Sequence, residues 1–168
     1  MRTPGGAIMP PLKTAHVEPV YPEEASKAGL YGAVVIQAAI DAEGRVARAD
    51  VLSGAGPLRQ EALRAVRQWR YAPTFVNGTA VTVDVTVTVN FALPREMHFK
   101  LKDLLAGIRH EDEEIREAAA RTLGYIKPGS LRRDELGSAT KALQRARKDK
   151  SERVRNAAAD ALARIRPQ

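Results

Sequence analysis

The residues whose types could do chemistry are few, and their spacing argues against it. Gly54-x-Gly56 lies between a strand-like and a helix-like stretch, where a phosphate-cradling turn would sit. Arg59, however, stands where a dinucleotide fingerprint needs its third glycine, and the unit that follows is too short. The pair reads as a plain turn. No Gly-Lys-Ser/Thr follows a glycine loop, and no G-x-S-x-G surrounds any of the five Ser. His16, His98 and His110 share no ligand spacing, so neither a metal nor a cofactor is expected. Cys is absent, which removes disulfides, thiolate zinc sites and Cys nucleophiles together. The expectation is a protein that binds and is not an enzyme.

Two charged stretches remain. The acidic run Glu111 to Glu114 falls where the first turn of a helix is expected, and negative charge is favoured there, so it reads as a solvated cap. From Lys141 to Arg155, seven Lys/Arg stand against Asp149 and Glu152. Lys141, Arg145, Lys148 and Arg155 are the candidate residues for an anionic surface, either membrane or envelope polymer. No aromatic residue follows Tyr125, so base stacking is unavailable and nucleic acid is disfavoured. A solvated helix face ranks ahead of both.

At 168 residues the chain stands between one domain and two. Residues 1 to 94 hold nine Lys/Arg against eight Asp/Glu, whereas residues 95 to 168 hold eighteen against twelve. The basic excess therefore belongs to the second part, and all strand-like sequence belongs to the first, which predicts two domains. Residues 1–13 carry two Gly and three Pro with no apolar core segment, and read as a linker-like tail, neither signal peptide nor anchor. No apolar run approaches the ~18 residues of a bilayer span.

The stretch Val81 to Phe91 alternates without a slip: Val81, Val83, Val85, Val87, Val89 and Phe91 against Thr82, Asp84, Thr86, Thr88 and Asn90. A period of two in β-branched residues predicts a long strand, apolar on one face. At about twice the usual ~5 to 6 residues it outruns its neighbours, and unpaired N–H and C=O groups on such an edge are a template for another chain.

The elements before it follow from punctuation. Pro22, two Glu and then Gly29 bound a short helix, and Val34, Ile36, Ala38 and Ile40 share one strand face. Asp41 to Gly44 supplies a turn into Val46 to Leu52. Pro57 opens a second helix with Leu58, Ala62, Ala65, Val66 and Trp69 at helical spacing, ended by Ala72-Pro73, and Asn77-Gly78 turns the chain into the long strand. The order helix, strand, strand, helix, strand predicts an α+β unit: a three-stranded antiparallel sheet with two helices on one face.

Tyr21-Pro22-x-x-Ala25, Gly32-x-Val34, Asp41-x-x-Gly44-x-Val46, Ser53-Gly54, Ala62-x-x-Ala65-Val66-x-x-Trp69-x-Tyr71-x-Pro73 and Asn77-Gly78 resemble the TonB C-terminal domain, over about residues 14 to 93. The resemblance implies the periplasmic end of an energy transducer in the cell envelope. Its last strand would pair with a short extended peptide, the TonB box, of an outer-membrane transporter. On that implication Thr82, Asp84, Thr86, Thr88 and Asn90 form the outer face of the recognition strand. His16 and Val17, in the stretch before Tyr21, would add contacts. About six main-chain hydrogen bonds at ~1 kcal/mol net give ~6 kcal/mol, short of the ~8 kcal/mol of micromolar binding, so such contacts are needed. The family's transducers also carry a membrane helix and a Pro-rich spacer, which leaves open the end of a longer product or a relative that only binds.

Residues 115 to 126, IREAAARTLGYI, match 154 to 165, VRNAAADALARI, at an offset of 39. Each copy places apolar residues at i, i+3, i+4, i+7, i+8 and i+11, and each is preceded by a further amphipathic stretch. The pairs resemble HEAT repeats, whose loop Asp is matched by Asp149 and replaced by His110 in the first copy. This predicts an all-α domain of about four helices, residues 95–168, after an α+β domain of residues 14–94. Two repeats bury their faces only against neighbours, so the pair is expected to dock on the first domain or on a second copy of the chain, with an additional protein partner as a further candidate. Two functions follow: an adaptor that captures a transporter peptide by strand addition, or a structural scaffold whose helices bind protein or an anionic surface.

Overall fold

The computed structural model describes residues 10–93 and 98–165. Residues 1–9 of the linker-like tail and the expected boundary at 94–95 lie outside them. In chain order the elements begin with β1 (Lys13–Ala15), α1 (Glu23–Ala28), β2 (Gly32–Ile40), β3 (Val46–Ser53), α2 (Gly56–Arg67) and β4 (Arg70–Tyr71). There follow β5 (Thr74–Val76), β6 (Thr79–Val81), β7 (Val83–Phe91), α3 (Leu101–Gly107), α4 (Glu113–Tyr125), α5 (Arg133–Ala146) and α6 (Glu152–Ile165). Residues gather into two compact units. Met1–Val20, Ala33–Gly54 and Arg59–Asn90 make one; Tyr21–Gly32, Ala55–Leu58 and Phe91–Gln168 make the other.

The first unit is built on the antiparallel sheet β3-β2-β7. The β2–β3 turn is fixed by Asp41, whose Oδ1 accepts from the N–H groups of Glu43 (3.1 Å) and Arg45 (2.8 Å). Gly44 completes it at φ 81°, where a Cβ would meet the Tyr71 carbonyl oxygen at 1.9 Å. Val34, Ile36, Ala38 and Ile40 are all buried, as their alternation predicts, and Trp69 just beyond α2 is 2% exposed.

The eleven-residue strand expected from Val81 to Phe91 is divided. Thr82 leaves the ladder, β6 pairs back on β5 across Asn77-Gly78, and β7 alone joins β2. Alternation continues through the break because hairpin and main strand are both pleated at period two, and that pattern carries no record of a change of partner. The second helix ends at Arg67, five residues before Ala72-Pro73, and the freed chain forms β4, which pairs with β1. Two residues are too few for a periodic signal.

In the second unit α4 packs along α6, α5 on α6, and α3 on α4. The stripe is the one read from the repeat: Ile115, Ala118, Ala119 and Leu123 in α4, and Val154, Ala158, Leu162 and Ile165 in α6, are all buried. Small residues set the spacing, and a Cβ on Gly124 would come 2.7 Å from Ala161 Cα. A face of the first repeat is covered by α1, which packs on α3 and α4. Thr122 Oγ1 donates to the Ala28 carbonyl (3.0 Å), and Gly107 lets Ala28 approach.

Candidate functional site

β7 closes one margin of its sheet, with β2 on one side and no strand on the other among the described residues. Thr82, Asp84, Thr86, Thr88 and Asn90 are all exposed; Val83, Val85 and Val87 are half-buried, and Val89 and Phe91 are buried. The margin thus offers main-chain donors and acceptors framed by hydroxyls, one carboxylate and one amide. Asp84 lies 3.8 Å from the Arg48 guanidinium, which also pairs with Asp50 at 3.1 Å; all three are more than half exposed, and such pairs contribute little.

Pro10 and Pro11 run beside this margin and, with Thr82 to Thr86, enclose a groove of about 570 Å³. Proline has no N–H, so neither residue can donate to a β7 carbonyl and neither can complete the ladder.

His16 and Val17 meet Trp69. The Trp69 indole N–H donates to the Val17 carbonyl at 2.8 Å, and the His16 ring lies 4.8 Å from the indole, tilted by 41°. The Lys13 ammonium stands 3.7 Å over the same indole and donates to His16 Nδ1 at 3.0 Å. Because an ammonium only donates, Nδ1 is the acceptor and Nε2 carries the proton toward Glu18, 2.9 Å away. The Val17 carbonyl is therefore already engaged within the unit, whereas Leu12 and Val20 around it are 73% and 70% exposed. Sequence reasoning passed over Lys13, because a lone Lys in a Pro-rich stretch carries no sign of the indole it will cover.

The basic stretch is split by its surroundings. Lys141, Arg145 and Lys148 are exposed. Arg155 is half-buried, and its Nη1 donates to the carbonyls of Asp149 (2.9 Å) and Lys150 (3.0 Å). Its charge is directed at the chain's own loop. Arg116, one repeat earlier, does the same to His110 and Glu111. The substitution of His110 for Asp leaves the loop bond intact: His110 Nδ1 accepts the Asp112 N–H at 3.0 Å, as Asp149 Oδ1 accepts that of Ser151 at 2.9 Å. The acidic run divides too, since Asp112 caps α4 by accepting from Glu114 and Ile115, while the Glu114 carboxylate takes the Gly56 N–H.

Among the described residues no group of three or more His, Cys, Asp or Glu is placed to hold a metal, and no helix is long and apolar enough to cross a membrane.

Residues 17–93 match the family model of the Gram-negative bacterial TonB protein C-terminal, and residues 101–168 match that of HEAT repeats. The two matches follow one another along the chain, the first similar to the TonB C-terminal and the second to HEAT repeats. The Protein TonB of Vibrio cholerae is 35% identical over 86 residues, which is 50% of this chain and 35% of that protein. The Protein TonB of Xanthomonas campestris is 36% identical over 77 residues, 45% of this chain and 34% of that one. The chain thus spans about a third of the length of these curated relatives. A solution NMR structure of the Pseudomonas aeruginosa TonB CTD is similar at 25% identity and a TM-score of 0.44, covering 51% of this chain and 88% of that one. The TonB match takes in residues 21–32, which cluster with the helices of the second unit.

Proposed function

We propose that the chain is a TonB-type adaptor of the cell envelope, acting on its periplasmic side without catalysis. The free margin of β7 receives an extended segment of an outer-membrane transporter, of the TonB-box kind, as an added strand. The observation that carries this reading is the strand order β3-β2-β7, which leaves a nine-residue strand with one unpaired edge among the described residues. Main-chain bonds would supply the affinity, and the exposed row Thr82, Asp84, Thr86, Thr88 and Asn90 would select side chains. The HEAT segment serves as an additional protein-binding module. Titration calorimetry of the full chain with a synthetic TonB-box peptide tests the reading: saturable binding in the micromolar to millimolar range supports it, and no heat at millimolar peptide overturns it.

A second reading, a scaffold whose helices carry all binding, to protein, to a second copy of the chain or to an anionic surface, is favoured by the exposed cations Lys141 and Arg145 along α5. Binding of anionic vesicles, with no response to the peptide, would select it.

A further inference from the structure

The second unit carries a feature that strand addition does not use. Tyr31, Phe99 and Ile126 help to line an apolar pocket of about 290 Å³, room for roughly ten waters or one to two large side chains. Tyr125 and Arg121 also border a polar depression of about 410 Å³ on α4 and α6, so the two recesses are adjacent and share these two side chains as a common wall. Tyr31, in the loop before β2, and Tyr125, at the end of α4, are 60% and 66% exposed and border the same apolar pocket, so together they make an exposed aromatic patch. Exposed tyrosines beside arginines make the composition of an interface centre.

The charges beside Tyr125 have a definite sense. Arg121, Arg153 and Arg164 line the polar recess against Glu117 and Asp160. Glu117 is already engaged: it is 12% exposed, and accepts from both Arg121 and Arg153. Arg164 makes no ion pair among the described residues, and its guanidinium carbon lies over the Tyr125 ring, 4.6 Å from the ring centre. A guanidinium keeps its charge at all relevant pH and offers paired donors to a carboxylate. One end of the surface therefore accepts an apolar side chain, and the other accepts an anion.

We propose that this surface is a second peptide site, whose ligand is an extended acidic segment bearing one large apolar side chain. The apolar side chain enters between Tyr31 and Tyr125, and a carboxylate one or two residues away meets Arg164. Asn156, also at the polar recess, can both give and take a hydrogen bond with the peptide main chain. A lipid acyl chain matches less well, because beyond the short apolar pocket it would run onto Arg121 and Asp160.

The test uses the full chain and three fluorescein-labelled heptapeptides, read by anisotropy. The first has a central Phe flanked by Asp, the second replaces Phe by Ala, and the third replaces every Asp by Lys. Saturable binding of the first, at least tenfold tighter than the other two, is expected. Arg164→Glu and Tyr31→Ala should each weaken it at least fivefold without moving the thermal melt, since both side chains lie on the surface, and Thr86→Glu, an exposed change on β7, should not. Equal binding of all three peptides, no saturable binding at millimolar protein, or loss in Thr86→Glu but not in Arg164→Glu would each overturn the site. Phosphatidylglycerol vesicles retained in an Arg164-dependent way, with no peptide binding, would overturn it in favour of lipid.

Discussion

Arg116 in the first repeat holds Asp149 in the second by both carboxylate oxygens, Nε to Oδ2 at 2.9 Å and Nη2 to Oδ1 at 3.0 Å. Arg116 is 6% exposed, and its remaining Nη1 donates to the His110 and Glu111 carbonyls, so a charge taken out of water is satisfied on every side. Breaking one partner of such a pair costs about 3 to 5 kcal/mol, because the other charge stays buried. Arg116→Ala should therefore destabilise the second unit by about 3 kcal/mol or more in urea denaturation followed by circular dichroism.

The same pair sets an acid limit. Hydrogen bonds from Arg116, ahead of the Ser151 N–H and the nearby cations, hold the Asp149 carboxyl below its ordinary pKa. A folded pKa lower than the unfolded value of ~3.9 means that this contribution is fully present above about pH 4 and is lost as pH falls through the lowered value. Wild-type protein should lose stability on acidification below about pH 4 more steeply than Asp149→Asn. Parallel pH profiles would refute the assignment.

His110 faces two ways: Nδ1 accepts the Asp112 N–H, and Nε2 lies 3.3 Å from Glu24 of α1. Restoring the repeat's Asp by His110→Asp would keep the loop bond but set a carboxylate toward Glu24. His110→Asn can accept at one atom and donate at the other. Because Glu24 is 73% exposed, the difference is modest, with His110→Asp less stable than His110→Asn by about 0.5 kcal/mol. Adding Glu24→Gln should close that gap, and a double-mutant cycle measures it.

Consecutive strand N–H groups point to opposite sides, so of Val85→Pro and Thr86→Pro one removes a donor on the open margin and the other breaks the ladder with β2. One variant should melt like wild type and lose peptide binding in calorimetry, while its neighbour loses stability. A folded pair that both bind peptide at wild-type strength would rule out strand addition at β7.

Two helix glycines should respond in opposite directions to alanine. Gly137 in α5 has open space where a Cβ would go, so Gly137→Ala should gain about 1 kcal/mol from helix propensity alone. Gly124→Ala gains the same propensity but drives its Cβ onto the Ala161 backbone at 2.7 Å, and overpacking of ~1 to 3 kcal/mol should outweigh it. Urea midpoints of the two variants decide between propensity and packing.

Much of this was legible from residue order. The Val/Thr alternation shows which side chains of β7 are exposed, and the stripes of α4 and α6 fall where the 39-residue repeat puts them. The break at Thr82 was not legible, since both strands it separates share one period. The fate of Arg155 was hidden as well, because a basic residue in a basic run gives no sign that two carbonyls of its own loop will claim it.

By itself the sequence determined which faces must be covered, because burial on a helix or strand follows a period written into consecutive residues. That His110 takes over the loop bond made by Asp149 in the second repeat was not written there, and only the structure shows it. Tertiary structure alone decided what covers those faces. The Thr122 hydroxyl reaches the Ala28 carbonyl, and Trp69 reaches that of Val17, across long separations in the chain. Such pairings depend on how the chain closes, and any apolar face of the right width would have satisfied the local pattern equally well.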